Sequence, residues 1–403
     1  MNITINPSPL SGTVKAIPSK SQAHRAMICA KLAGLSNIVE CGATSKDIEA
    51  TANCLSQLEQ PAPVFNCGES GSTFRFLLPI AGALGLNATF ILEGRLPERP
   101  LTPLYEELAR HGCEMSPQGS NPFCIKGRLS PGSYTLDAGV SSQFVSGLLF
   151  ALPLLPGNST LRLIGKVESA PYIELTLVML ERFGISARIE NDAYYIKGNQ
   201  AFKAPRSGVI AVEGDWSNAA FWLCAGAVSS GGITCTGLDP RSKQGDRAAL
   251  DLLEQFGAVV TLDNASVTVC GGNLRGISIN ARDIPDLVPV LAVIAAFAKG
   301  TTVISNAERL RIKESDRLFA ISDILSVLGA DITQKEDGLV INGGHTLGGG
   351  IVSSHNDHRI AMSAAIAAIG CKNAVIIEGA EAVAKSYPKF FDDYTALGGE
   401  TVL

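Results

Sequence analysis

Nowhere do the 403 residues run apolar for the length of a membrane-spanning helix. The most hydrophobic stretch, Leu287 to Ala298, is too short and contains Pro289. The first residues, MNITINPSPLSG, have neither a basic start nor an apolar centre, and they lack the Arg- and Ser-rich character of a transit peptide. The expectation is a soluble, cytoplasmic protein without a membrane partner. Charge is scarce as well. Charged residues make up 18% against 46% hydrophobic, and the net charge is −5. That balance excludes global disorder and gives no reason to expect nucleic acid as a partner. An anion site must then be a local concentration of Lys and Arg. Ten cysteines are present, but no two form a C-x-x-C pair, and Cys29, Cys224 and Cys371 lie in apolar stretches. Zinc sites and disulfide frameworks use tighter spacing, so reduced buried thiols and no metal are expected. P-loop and G-x-G-x-x-G dinucleotide signatures are missing too. No cofactor is expected, and catalysis should rest on proton transfer and electrostatics.

What is present is a weak repeat. Six times a polar cluster precedes an Ala/Leu-rich apolar segment, a turn and a β-like run. The starts read SKSQAHRAMICAKLAG, SGSTFRFLLPIAGALG, SSQFVSGLLFALPLLPG, DWSNAAFWLCAGAVSSGG, DIPDLVPVLAVIAAFAKG and NDHRIAMSAAIAAIG. Their spacing of roughly fifty to seventy-five residues is that of a repeated supersecondary unit. Between them recur amphipathic helices closed by Gly, as in LTLVMLERFGISARI and ALDLLEQFGAVVTL, while DIEATANCLSQLE lacks the Gly. Six units in a chain of this length imply two domains of three units, in an α/β or α+β class. The first helix of each unit is apolar nearly all round and should be buried. Bundled, such helices would bring their N-termini to one end, where free N–H groups and the helix dipole favour anions.

Ser and Asp at those starts would alone read as ordinary N-caps. The cations beside them point further. Lys20, Ser21 and Arg25 open the first unit; Gly71, Ser72 and Arg75 open the second, with Arg95 and Arg99 following. Arg309, Arg311, Lys313 and Arg317 follow the fifth, and His358, Arg359 and Lys385 belong to the sixth. Arg matches carboxylate and phosphate with two parallel hydrogen bonds, and Lys serves phosphate as a point charge. Asp286 and Glu314 lie among these cations, where a carboxylate stays ionised and can accept a proton from a bound hydroxyl. Asp286 reads equally as a helix N-terminal charge, and Asp316 as an ion-pair partner orienting Arg317. Ser141, Ser142 and Gln143, with Ser169 and Tyr172, add donors suited to a phosphorylated polyol.

The ordered set PSKSQAHR, ERP, VSSQF, SAPY, EGDWSNA, IPD, RIKESDRL, NDHR and AKSYP resembles the 5-enolpyruvylshikimate-3-phosphate synthase family over essentially the whole chain. The resemblance implies two domains, each of three βαβαββ units with buried parallel helices, an inside-out α/β barrel. Residues 13–212 would form one domain, and residues 1–12 with 213–403 the other, around a cleft that closes on substrate. It implies transfer of the enolpyruvyl group of phosphoenolpyruvate to the 5-hydroxyl of shikimate 3-phosphate, with loss of phosphate, through a tetrahedral intermediate. Lys20 would touch both substrates. Ser21, Arg25, Ser141, Ser142, Ser169, Tyr172 and Lys313 would hold shikimate 3-phosphate, with Gln143 on both ligands. Gly71, Arg99, Arg317, Arg359 and Lys385 would grip phosphoenolpyruvate. Asp286 would take the 5-hydroxyl proton and Glu314 would be a second acid/base group, with Lys20 also catalytic. The resemblance also implies inhibition by glyphosate at the phosphoenolpyruvate site, and a monomer.

Two places depart from the family. Many members read GNAGTAMRP where this chain reads GESGSTFRF, so Glu69, Ser72 and Phe76 replace Asn, Thr and Pro, while Gly71 is kept. Arg309 stands where many carry an Asn that contacts shikimate 3-phosphate. The competing readings are the sister enzyme acting on UDP-N-acetylglucosamine and a non-catalytic phosphometabolite-binding protein. The first normally has Lys-Asn where this chain has Lys20-Ser21; the second would not need Asp286 and Glu314.

Overall fold

The computed structural model describes residues 1–137, 139–191 and 193–402. They form two compact units, one continuous (Lys20–Val212) and one discontinuous (Met1–Ser19 with Glu213–Leu403). The first crossover lies at Lys20 rather than near residue 12. The reason is pairing: Gly12–Lys15 is a strand running parallel to Ile233–Thr236, and the Ser19 amide donates to the Glu213 carbonyl.

The continuous unit holds α1 (Lys20–Leu32), α2 (Lys46–Ser56), α3 (Gly71–Leu84), α4 (Leu104–Arg110), α5 (Ser142–Ala151) and α6 (Ala170–Arg182). Its two four-stranded sheets share one pattern. Val64–Gly68 runs parallel to Ala88–Leu92, and Ser133–Asp137 parallel to Ser159–Ile164; each pair then continues into an antiparallel hairpin. The crossovers between the parallel strands are α3 and α5. The remaining repeat is reduced to the short parallel pair Val39–Glu40 and Ile210–Ala211.

The discontinuous unit holds α7 (Trp216–Val228), α8 (Ala249–Phe256), α9 (Val288–Phe297), α10 (Arg317–Val327), α11 (His358–Ala368) and α12 (Phe390–Ala396). Three four-stranded sheets repeat the pattern. The parallel pairs are Gly12–Lys15 with Ile233–Thr236, Ser278–Asn280 with Gly300–Ser305, and Gly350–Ser353 with Val375–Glu378. A parallel pair needs a crossover, and α9 and α11 supply two of them. The continuous unit is inserted in the third, which ends through α7.

This topology places the start of each crossover helix beyond the carboxyl end of a strand, where open α/β sheets bind ligands. It also buries those helices. Every residue from Val288 to Ala296 of α9 is buried, and α7, α9 and α11 pack on one another. Each unit has its own apolar core. Gly257, at φ 101°, closes α8 in the left-handed conformation that glycine adopts without a Cβ penalty. The short helix α12 packs through an aromatic face: Phe390 stacks on Trp222 with ring centroids 4.7 Å apart. No helix among the described residues is long and apolar enough to cross a membrane.

Candidate active site

In the continuous unit, the starts of α1, α3, α5 and α6 are tied together by polar side chains. Lys20, the first residue of α1, reaches Asp47 Oδ2 at 2.7 Å. One turn on, Arg25 is 3% exposed. Its guanidinium donates to Thr176 Oγ1 (2.7 Å), the Tyr172 carbonyl (2.9 Å), the Ser21 carbonyl (2.6 Å) and Ser146 Oγ (3.4 Å). All four partners are neutral oxygens, and the guanidinium lies over the Phe76 ring, 5.1 Å from its centroid. Burial pulls it down to about 10. A buried cation satisfied only by dipoles is a strong attractor for an anion.

Ser70 caps α3, and Gly71 is its first residue. A Cβ at Gly71 would stand 2.6 Å from Arg75 Nη1 and 3.0 Å from Arg99 Nη1, so glycine keeps two guanidinium groups close to the helix start. Gln143 bridges α5 to this point: its Oε1 accepts from Arg75 (3.1 Å) and its Nε2 donates to Ser72 Oγ (2.9 Å). Ser141 caps α5, accepting from the Gln143 amide, and Ser142 is buried beside it. Ser169, ahead of α6, has φ 54° and ψ 41°, a left-handed conformation rare for a non-glycine residue and common at ligand clamps. The structure therefore gathers Lys20, Ser21, Arg25, Ser169 and Tyr172 around α1, and Gly71, Arg99, Ser141, Ser142 and Gln143 around α3 and α5.

The discontinuous unit carries an ion network at the starts of α9, α10 and α11. Arg317, 1% exposed, is its hub. Its Nε donates to Asp357 Oδ2 (2.7 Å), Nη1 to Asp286 Oδ1 (2.8 Å) and Nη2 to Glu314 Oε2 (2.7 Å). Asp286 also accepts from Arg359 Nη2 at 3.1 Å, with Lys313 Nζ 3.9 Å away. Lys385, also buried, donates to the Asn356 carbonyl at 2.6 Å, from the loop that leads into α11. Burial pushes the Asp286 carboxyl up, but Arg359, Lys313 and Arg317 outweigh it and hold the carboxyl well below the usual carboxylate range. Burial likewise brings Lys313 down to about 8, with Asp286 opposing and Arg317 and Arg309 reinforcing.

Asp316 does not orient Arg317 as its neighbouring position suggests. It caps α10 through the Phe319 amide (3.0 Å) and pairs with Arg311 (3.0 Å). Arg309 donates to the Arg282 carbonyl at 3.1 Å. Three carboxylates escaped the sequence reading: Asp47, Asp357 and Asp246. Asp357 was in plain view inside NDHR as an N-cap. Asp47 sits in the first turn of α2. Asp246, buried beside Ser217, carried no local signal at all.

Comparisons with known proteins identify the family to which the chain is similar. A family model described as EPSP synthase (3-phosphoshikimate 1-carboxyvinyltransferase) matches residues 5–62 and 56–394. A 3-phosphoshikimate 1-carboxyvinyltransferase of Clostridium kluyveri is 44% identical over 422 residues, covering 99% of this chain and 97% of the relative. Among solved structures, EPSP synthase from Acinetobacter baumannii superposes with a TM-score of 0.80 at 25% identity, covering 100% of both chains. The enolpyruvyl transferase NikO from Streptomyces tendae has a TM-score of 0.77 at 18% identity, covering 100% of this chain and 98% of that one; this is a likeness of fold.

Proposed function

The chain belongs to the EPSP synthase family of 3-phosphoshikimate 1-carboxyvinyltransferases, and on that premise we propose which side chains carry the enolpyruvyl group from phosphoenolpyruvate to shikimate 3-phosphate. The reaction is a step of the shikimate pathway, on the route to aromatic amino acids.

Shikimate 3-phosphate is assigned to the α1 group. Arg25 meets the 3-phosphate, helped by Ser21, Ser141, Ser142 and Ser169, with Tyr172, Gln143 and Lys313 completing its contacts. The neutral surroundings of Arg25 support this, since a phosphate supplies the missing negative charge. Phosphoenolpyruvate is assigned to Gly71, Arg99, Arg317, Arg359 and Lys385, with Lys20 and Gln143 touching both substrates. The start of α3 offers backbone amides and the positive dipole end to the phosphate. Glyphosate, carrying a phosphonate and a carboxylate, would compete there.

Asp286 is assigned the 5-hydroxyl proton. The observation that carries this is its position between Arg317, Arg359 and Lys313. In that setting the carboxylate is ionised but weakly basic. A phosphoenolpyruvate carboxylate brought to Arg359 shares that cation and adds negative charge, which raises the basicity of Asp286 when the hydroxyl arrives. Attack on C2 with protonation of C3 gives a tetrahedral intermediate, and loss of phosphate from C2 with a proton from the C3 methyl group gives the enol ether. Glu314 and Lys20 serve as the further acid/base groups, exchanging tasks between addition and elimination. We take the enzyme to act as a cytoplasmic monomer.

The test is Asp286→Asn and Glu314→Gln, with turnover and equilibrium binding of each substrate measured separately. Turnover should fall by about 100-fold or more, with dissociation constants within about fivefold. Equal losses in binding and turnover would remove the acid/base assignment.

A further inference from the structure

Four buried side chains form a hydrogen-bonded chain inside the continuous unit, from α1 to the first turn of α3. His24 Nδ1 is 2.6 Å from Thr51 Oγ1, Thr51 Oγ1 is 2.6 Å from Thr73 Oγ1, and Thr73 Oγ1 is 2.7 Å from Ser70 Oγ. His24 lies on α1 between Lys20 and Arg25. Thr51 lies on α2, whose first turn holds Asp47, the partner of Lys20. Ser70 is the cap of α3 and accepts the Thr73 amide at 3.3 Å.

The direction of this chain follows from its chemistry. Each hydroxyl has one hydrogen to give, so a relay in which every hydroxyl both accepts and donates runs one way. Burial, then the charges of Lys20 and Arg25, hold the His24 imidazole well below its ordinary range, so the ring is neutral. Its Nε2 has no hydrogen-bond partner among the described residues. Orphaned buried N–H groups are rarer than orphaned acceptors, which puts the hydrogen on Nδ1. With the hydrogen on Nδ1, His24 donates to Thr51, and a relay in which each hydroxyl passes its hydrogen on reaches Thr73 and then Ser70. In that relay the Ser70 oxygen receives a hydrogen from the Thr73 hydroxyl besides that of the Thr73 amide, and bonds in series strengthen one another.

The first turn of α3 needs such support. Gly71, Ser72 and Thr73 are weak helix formers, and Gly71 loses the most freedom on ordering. We infer that His24 is a positioning residue: acting through Thr51 and Thr73, it fixes the Ser70–Ser72 turn whose Gly71 and Ser72 amides receive the phosphate of phosphoenolpyruvate. This rests on the assignment of that phosphate to Gly71. The chain also joins the turn to α1, so the two substrate-binding groups of this unit share one rigid support.

The experiment is steady-state kinetics on the full chain, with each substrate varied in turn, for His24→Leu, Thr51→Val, His24→Asn and Gly71→Ala. His24→Leu and Thr51→Val should each raise KM for phosphoenolpyruvate about 5- to 10-fold. KM for shikimate 3-phosphate should stay within about twofold. His24→Asn, whose amide restores an N–H near the Nδ1 position, should return most of the loss. The double variant His24→Leu/Thr51→Val should be no worse than the poorer single one, because both cut the same chain. Thr51→Val is nearly isosteric and keeps the test available if His24→Leu folds poorly. If Gly71→Ala raises KM for phosphoenolpyruvate while His24→Leu and Thr51→Val leave it unchanged, or raise both KM values equally, the positioning role is overturned and the site assignment stands. If Gly71→Ala leaves KM for phosphoenolpyruvate unchanged, the site assignment falls and the inference with it.

Discussion

Replacing Arg317 with Met would strand three carboxylates at once. The guanidinium holds Asp357, Asp286 and Glu314 at 2.7, 2.8 and 2.7 Å. The three are unequal. The side chain of Asp357 is 0% exposed, whereas Asp286 and Glu314 keep 18% and 21%. Asp286 also retains Arg359 and Lys313. Most of the loss should therefore come from Asp357. Removing one partner of a buried ion pair costs roughly 3–5 kcal/mol. At about 2–4 °C per kcal/mol for a unit of this size, melting should fall by roughly 10 °C. The pH dependence gives a second readout. In the wild type, burial raises the Asp357 carboxyl but Arg317 and His358 outweigh it, so the carboxyl lies below its ordinary value of 3.8. Its stabilisation is present above that value and is lost as pH falls through the lowered one. Without Arg317 burial dominates, the carboxyl rises, and the variant loses stability as pH rises. The gap between wild type and variant should narrow from pH 7 to about pH 5. Adding Asp357→Asn should recover about half of the loss, because the two changes remove one interaction. Scanning calorimetry at both pH values measures this. A fall of less than about 2 °C, or a gap that widens on acidification, would refute the reasoning.

Two other titrating groups make separate predictions. Burial, with the charge of Asp286, raises Asp246 to about 7, so its contribution to stability is fully present below 3.8 and is lost as pH rises through about 7. Asp246→Asn should gain stability over wild type between about pH 5 and pH 8, and melting at the two values checks it. Lys313, brought down to about 8, should give kcat/KM for shikimate 3-phosphate an alkaline limb near that value. Lys313→Arg should lower the rate and remove the limb, which a pH–rate profile would show.

The inner helices were legible because all-round apolarity leaves burial as the only stable outcome, as in α9. Their polar starts were legible because a cap must follow the chain, and Ser70, Ser141, Asp215 and Asp357 do cap α3, α5, α7 and α11. Pairings across the unit were not. Arg25 finds Thr176, and Arg317 finds Asp286, from positions that sequence proximity does not indicate. Sequence position pairs Asp316 with the neighbouring Arg317, but α10 uses it as a cap, and its ion pair goes to Arg311. The reduced third sheet of the continuous unit was hidden for a similar reason. SNIVECG reads as a full strand, yet only Val39–Glu40 finds a partner, the equally short Ile210–Ala211.

The most direct measurement is phosphate release from phosphoenolpyruvate by the full chain, in chelator and without nucleotide cofactor, with either shikimate 3-phosphate or UDP-N-acetylglucosamine as acceptor. The account predicts release with shikimate 3-phosphate alone, suppressed by glyphosate in competition with phosphoenolpyruvate. Release with the nucleotide sugar alone, or with neither acceptor, would contradict it.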